Sequence, residues 1–215
     1  METVLVSILN LEAFQAARLT RNPFDFLVLR DFVRPETLPA INRDYPQISQ
    51  GGSFPVEVLD FGPGFAELLA ELNGPLLRAA FAEKFGIDLE GRPTMVTVRG
   101  RCTARDGQIH TDSKTKIITG LIYLNSEWQE PGGQLRLLRS ADDLNDIIVE
   151  VPPESGTLVA FRRSENSFHG HTPFVGERRV LQFNWMTSAL VRRRELSRHR
   201  FSALMKRLVP ILPVR

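Results

Sequence analysis

The stretch that decides the fold is residues 116–124, which read Lys-Ile-Ile-Thr-Gly-Leu-Ile-Tyr-Leu. β-Branched and aromatic residues dominate it, as is typical of strands that pack into a core. Short runs of the same character surround it at residues 95–99, 134–138, 147–151, 157–161 and 179–185. Glycine and proline turn signals separate these runs, so this half of the chain predicts a β-sandwich or a double-sheet jelly roll.

The residues before this β-rich half have mostly helical patterns. Residues 65–72 and 75–86 have apolar helical faces, and the second of these segments begins with proline and ends with glycine. A short helix is also predicted at 11–19, a strand at 24–32, a helix at 35–43 and a loop at 46–63. We therefore predict an α+β protein with a jelly-roll core, a helical N-terminal layer and a C-terminal helix.

The chain shows neither an internal repeat nor a low-complexity linker, so we expect one domain over residues 1–215. Within it, residues 1–90 form a helical support layer, 94–187 the jelly-roll core and 190–215 a basic tail with a helix from about 191 to 208. No apolar run reaches the length of roughly 18 residues that suggests a membrane span. The short apolar run at the N-terminus is not typical of a signal peptide. The single cysteine, Cys102, excludes an intramolecular disulfide and favours a cytoplasmic protein.

The charge is distributed unevenly along the chain. Residues 192–215 contain eight Lys or Arg and one acid, which gives this tail seven net positive charges although the whole chain carries only two. The rest of the chain is therefore acidic, and we expect no nucleic acid as a partner. The tail is predicted to be a helix docked on the body with a solvated basic face. Contact of this face with an anionic membrane surface or an acidic partner is the alternative.

Two histidines and one carboxylate are candidate metal ligands. His110 and Asp112 are two residues apart, so on an extended strand they would project to the same face. His169 follows 57 residues later, and Arg179 comes ten residues after it. Two His and one carboxylate with open positions form the ligand set of non-haem Fe(II) sites. The arginine would suit a co-substrate with a distal carboxylate, because guanidinium matches a carboxylate in shape.

Taken alone, the pair His110 and Asp112 has a simpler explanation, since a short turn with an aspartate capping backbone amides is common. The conjunction of the pair with His169 and a downstream arginine favours a metal centre. His171 is two residues after His169, and we interpret it as a structural or exposed histidine. Cys102 is interpreted as a small buried apolar residue.

Several further motifs lie between residues 94 and 187: residues 120–125 (Gly-Leu-Ile-Tyr-Leu-Asn), Trp128, residues 132–136, residues 156–161, His169 and residues 179–185. In combination they resemble the core of the prolyl-hydroxylase-like Fe(II)/2-oxoglutarate dioxygenases. It implies a distorted double-stranded β-helix and Fe(II) bound by His110, Asp112 and His169. It also implies 2-oxoglutarate and O2 as co-substrates, release of succinate and CO2, and ascorbate as a candidate reductant.

The resemblance also suggests which residues bind 2-oxoglutarate. The tyrosine before Leu-Asn in the family motif is Tyr123 here, and Thr119 and Leu121 share its strand parity. Two adjacent arginines compete for the distal carboxylate. The six-residue spacing to the strand tryptophan favours Arg179, which would leave Arg178 as a surface or loop residue.

The primary substrate stays open between prolyl or peptidyl groups, an amino acid, a glycan and another small metabolite. Asp112 favours hydroxylation, because halogenating relatives lack this carboxylate. Some relatives have a tyrosine in the strand before the motif, where this chain has Arg99, Gly100 and Arg101. These arginines suggest a more anionic substrate, an extra carboxylate contact, or simply solvated residues.

Two other functions compete with the dioxygenase. One is a non-catalytic jelly-roll module that binds metal or a small acid. The other is a nucleic-acid demethylase of the same superfamily, whose usual second arginine six residues after the first is missing, because Asn184 and Trp185 stand there.

Overall fold

The computed structural model describes residues 7–208, with side-chain surroundings up to residue 202. The helices in this part of the chain are α1 (Leu11–Ala16), α2 (Leu38–Arg43), α3 (Pro63–Leu72), α4 (Pro75–Phe85) and α5 (Ala189–Leu208). Short 3-10 helices span Pro35–Thr37 and Val56–Val58. The strands are β1 (Phe26–Leu29), β2 (Phe54–Pro55), β3 (Thr94–Cys102), β4 (Lys116–Tyr123), β5 (Leu135–Leu138), β6 (Ile147–Val151), β7 (Leu158–Arg162), β8 (His169–His171) and β9 (Gly176–Met186).

The strands form two antiparallel sheets, as the jelly-roll prediction requires. The larger sheet has the order β1-β7-β4-β9-β3-β2, and the smaller has the order β6-β5-β8. Strands far apart in sequence are neighbours, so the topology is that of a double-stranded β-helix with helices packed on it. The predicted α+β class is therefore confirmed.

Each of the six β-rich runs downstream of residue 94 became a strand, and the structure adds two that the sequence patterns did not reveal. β2 lies within the predicted loop at 46–63, and β8 contains His169 and His171. Both are only two or three residues long, which is too short for alternation of polar and apolar residues to be recognised. β1 pairs with β7, so the N-terminal layer contributes a strand to the main sheet as well as helices.

The largest core lies between the helices and one face of the six-stranded sheet. Phe81 of α4 stacks on Phe14 of α1 at 4.4 Å between ring centroids, and it also contacts Phe183 and Trp185 of β9. Aromatic pairs at these separations add to the free energy of burying their rings. The helical layer therefore supports the sheet from behind and leaves its other face available.

Strand β9 has two different faces. Leu181, Phe183 and Trp185 are at most 1% exposed and belong to the core with the helices. The residues between them point to the opposite side, because successive side chains of a strand alternate. On that side the register places Met95, Asn184 and Thr119 in one row across β3, β9 and β4. The next rows are Thr97, Gln182 and Leu121, and then Arg99, Val180 and Tyr123.

Helix α5 docks on the sheet, as predicted for the tail. Leu196 is buried against Met95 and Met186, and the guanidinium of Arg192 donates to the Thr94 carbonyl at 2.7 Å. Phe201, farther along the same helix, is 67% exposed. Among the described residues, none of the helices is both long enough and apolar enough to cross a membrane.

Candidate metal centre and its cavity

The structure brings His110, Asp112 and His169 together. Their potential ligand atoms all lie within 4.8 Å of one another. His110 is not part of a strand as expected; it forms an isolated bridge with His169, in which each backbone N–H donates to the other residue's carbonyl at 3.0 Å. This reciprocal pair sets the two rings side by side, with centroids 4.3 Å apart. Two histidines and one carboxylate can bind one face of a metal ion and leave its other coordination positions open.

Both imidazoles are held in the tautomer that a metal requires. Nδ1 of His110 lies 2.9 Å from the Gln108 carbonyl, and Nδ1 of His169 lies 3.0 Å from the Ser167 carbonyl. A carbonyl only accepts, so each Nδ1 carries the proton and each Nε2 keeps a free lone pair. Burial lowers the pKa of His169 to about 4, so its ring is neutral near pH 7. The donor set therefore fits a divalent metal ion.

Asp112 is buried but ionised. Burial alone would raise its pKa, yet Lys116, His169 and Thr119 together hold that pKa at about 2. Lys116 Nζ donates to Oδ1 at 2.7 Å, and the Thr119 hydroxyl donates to Oδ2. A carboxylate oxygen accepts more than one contact, so these donors orient the group and still leave lone pairs for a cation.

A chain of side-chain hydrogen bonds supports this orientation from the sheet. Gln182 Nε2 donates to Asn184 Oδ1 at 3.2 Å, and Asn184 Nδ2 donates to Thr119 Oγ1 at 2.8 Å. Thr119 then donates to Asp112. Asn184 and Thr119 are at most 1% exposed, so the network is fixed by packing. Such outer partners orient metal ligands and raise metal affinity.

The three candidate ligands open into a cavity of about 450 Å³. Its walls include Thr119, Leu121 and Tyr123 of β4, which share one face as the sequence predicted. Gly107, in the loop between β3 and β4, has a φ of +93° and lies directly against β8. A Cβ at this position would be 2.3 Å from the carbonyl oxygen of His171, so the close approach requires glycine. A cavity of this size is ample for one small metabolite beside another.

Of the two adjacent arginines, Arg178 lines this cavity and Arg179, which the sequence favoured, does not. Arg178 is only 5% exposed, and its guanidinium donates to the Tyr123 hydroxyl at 3.3 Å and the Gly133 carbonyl at 2.8 Å. Among the described residues no carboxylate lies within ion-pair distance of it. A buried cation without an acidic partner is costly, and an incoming anion would relieve that cost.

Arg179 faces the opposite side of β9. Its Nε donates to Glu177 at 2.6 Å, Nη1 donates to the Asn42 carbonyl at 3.3 Å, and the guanidinium lies over the Tyr45 ring. It contributes to two other surface cavities and not to the one beside the metal ligands. The six-residue spacing to Trp185 therefore did not identify the arginine that lines the cavity. Arg178, Gln182 and Asn184 are polar residues at even-numbered positions of β9, so this alternation would have identified Arg178 as the arginine on the cavity face.

Several other residues in or near the cavity were not identified from the sequence, or were given a different role there. Lys116 is the partner of Asp112 and is signalled only by its four-residue spacing. His171 is buried rather than exposed; burial, with Arg178 as a further cause, lowers its pKa to about 4.

Arg99 faces the cavity and pairs with Asp106, whereas Arg101 is exposed and lies at a separate cavity. Cys102 is fully buried, as its interpretation as a small apolar residue requires.

Comparison with known proteins gives one family. Residues 101–187 match the model of the 2OG-Fe(II) oxygenase superfamily. The crystal structure of a Pseudomonas putida prolyl-4-hydroxylase is similar at a TM-score of 0.52, with 21% identity over 75% of this chain and 85% of that chain. A Phytophthora capsici prolyl 4-hydroxylase has a TM-score of 0.51 and 19% identity over 78% and 60%. No curated protein matches the sequence.

A viral collagen prolyl hydroxylase from Paramecium Bursaria Chlorella virus-1 has a TM-score of 0.50 and 13% identity, over 76% of this chain and 90% of that chain. At these identities the solved structures show the fold alone. The family match over residues 101–187 agrees with the resemblance found in the sequence, and the solved structures agree with the fold that it implies.

Proposed function

We propose, from the match of residues 101–187 to the model of the 2OG-Fe(II) oxygenase superfamily, that this protein is an Fe(II)- and 2-oxoglutarate-dependent dioxygenase that hydroxylates a C–H bond of its substrate. One observation carries the proposal. The buried Arg178, which has no acidic partner among the described residues, opens into the same cavity as two histidines and a carboxylate arranged for one metal ion.

His110, Asp112 and His169 would hold the iron. The two imidazoles offer Nε2 lone pairs, and the ionised Asp112 offers a negative charge that Lys116 and Thr119 keep in place. When bound, Fe(II) with 2-oxoglutarate supplies the oxygen-activating chemistry that yields succinate and CO2 and oxidises the substrate. The protein supplies orientation of the reactants and a partly buried cavity that limits access of water.

Arg178 and Tyr123 would receive the distal carboxylate of 2-oxoglutarate. Their side chains already contact each other, and both are buried, so their charge-assisted hydrogen bonds to an anion are stronger than in water. Burial raises the pKa of Tyr123, which keeps its hydroxyl protonated as a donor. Leu121 lines the same cavity, and Thr119 acts through Asp112 rather than on the co-substrate.

The reaction outcome that we propose is hydroxylation, because Asp112 fills the carboxylate position and leaves no space there for a halide. The substrate is drawn from the classes named above. A cytoplasmic location, a single domain over residues 1–215 and a role of ascorbate as reductant stay predictions. So does contact of the basic tail with an anionic surface.

The test is an anaerobic titration with Fe(II) and 2-oxoglutarate, followed by exposure to O2 and measurement of succinate. We expect a visible absorption band when the keto acid chelates the iron, and succinate release that substrate pools accelerate. A chelate that forms without any succinate release would favour the non-catalytic binding module instead. Absence of the chelate would contradict both.

A further inference from the structure

Helix α5 closes one side of the cavity. Glu195, Arg198 and His199 of this helix line it together with Ser53, the residue before β2. The ring of His199 also hydrogen bonds to the Ser53 backbone. These residues lie outside the span 101–187 that matches the superfamily. The part of the cavity that they form is therefore not covered by the family match.

The cavity wall between this helix and the metal ligands is polar. Thr97, Gln182 and Asn184 present a hydroxyl and two amides on the face of the sheet, and the apolar residues beside them are Met95 and Met186. Among the described residues that line the cavity, Tyr123 is the only aromatic residue other than histidine, and it is engaged with Arg178. A proline ring or another apolar group would find no aromatic platform here, whereas a substrate with several polar groups would find partners.

The described lining also has more positive than negative charges. It contains five cations against three carboxylates, a surplus of two: Arg99, Arg105, Lys116, Arg178 and Arg198 against Asp106, Asp112 and Glu195. Loading with a divalent metal and a doubly charged keto acid leaves this surplus unchanged. The loaded cavity would therefore still attract an anion.

Two of these cations are the most available to receive it. Arg105 is exposed on the loop between β3 and β4, and none of the described residues pairs with it. Arg198 is 73% exposed, and its one ion pair within the described part of the chain is with Glu195 on its own helix, a surface contact that contributes little stability. Arg99 and Lys116, by contrast, are held by Asp106 and Asp112.

We propose that the primary substrate is a small polar acid whose carboxylate or phosphate is received by Arg105 and Arg198. Its hydroxyl or amide groups contact Thr97 and Gln182, and its reacting carbon lies toward His110 and His169. This rests on the proposed function for the reaction itself, but the anion site does not require a metal. It is distinct from the 2-oxoglutarate site, because Arg178 and Tyr123 serve that co-substrate.

The experiment is anaerobic calorimetry on protein saturated with Fe(II) and 2-oxoglutarate, with probes in matched pairs. One arm compares glucose 6-phosphate with glucose, and the other compares N-acetylglycine with N-acetylglycinamide. A panel of further acids and phosphate esters, each with its neutral counterpart, extends both arms. We expect the charged member of at least one arm to bind more tightly, and added NaCl to weaken it.

Arg105→Gln and Arg198→Gln should each weaken that anion about fivefold, the scale of one exposed charge contact. Arg193→Gln is the matched control, because Arg193 is exposed on the same helix and does not line the cavity; it should stay within about twofold. Neutral probes that bind as well as the charged ones would overturn the proposal. So would equal effects of the three variants. If the iron chelate fails to form, the proposed function fails, while calorimetry of the metal-free protein still tests the anion site.

Discussion

Leu181, Phe183 and Trp185 of β9 pack against the helical layer, whereas Val180, Gln182 and Asn184 of the same strand line the cavity. The first set is apolar and at most 1% exposed. The second set includes two amides joined to each other and, through Thr119, to the carboxylate Asp112. Residues that are adjacent in sequence therefore have unrelated roles, because side-chain direction alternates along the strand.

The two adjacent arginines show the same division most clearly. Arg178 is buried on the cavity side and pairs with none of the carboxylates that the structure describes, while Arg179 lies on the other side and pairs with Glu177. Because successive side chains of a strand point to opposite faces, two adjacent arginines of this strand have entirely different surroundings.

The largest expected effect is loss of the metal site. Asp112→Ala removes the only carboxylate of the three candidate ligands, so Fe(II) affinity should fall at least about 100-fold, beyond the loss known for outer partners. Succinate release should fall to background. Asp142→Ala, an exposed carboxylate away from the cavity, is the control. Equal iron binding by both variants, measured by anaerobic titration, would contradict the site.

The next effect concerns stability. Phe183→Ala leaves a cavity beside Phe81 and Trp185 and should lower the free energy of unfolding by about 3–5 kcal/mol. Gln182→Ala, one residue away on the other face, should lower it by less than about 1 kcal/mol. Urea denaturation measures both. Similar losses for the two variants would mean that the faces are not distinct.

Arg178→Met and Arg179→Met test which arginine binds the co-substrate. The Arg178 variant should raise the Kd for 2-oxoglutarate about 10- to 100-fold, the equivalent of losing hydrogen bonds to a charged group. The Arg179 variant should stay within about twofold. Calorimetry with Fe(II) present measures both affinities, and thermal unfolding checks that both variants are folded. A larger rise in Kd for the Arg179 variant than for the Arg178 variant would instead support Arg179, the residue that the spacing to Trp185 favours.

The smallest effect is expected at the support of Asp112. Thr119→Val keeps the shape of the side chain and removes the hydroxyl that donates to Asp112 and accepts from Asn184. Iron affinity should fall about tenfold, in the lower range for outer partners of metal ligands. Ser113→Ala, in the same segment but bonded to Thr115, is the control and should bind iron normally. A tenfold loss in the control would point to a general disturbance of this loop.

Much of this architecture was accessible from the sequence, because its longer strands carry β-branched runs bounded by turns. The grouping of His110, Asp112 and His169 was also predicted, although the structure achieves it by an isolated bridge and not by a regular strand. The sequence favoured Arg179, whereas the structure places Arg178 in the cavity, because spacing to one tryptophan outweighed the alternation of polar residues. Docking of the tail helix on the body was expected, but its contribution to the cavity could not be foreseen, since the sequence does not show where on the body a helix docks.

Helix α5 forms one wall of the cavity and contributes none of the three candidate metal ligands. Exchange of residues 189–202 for those of another helix would alter that wall without touching His110, Asp112 or His169. The shape and charge of the cavity mouth can thus diversify while the metal centre is inherited unchanged.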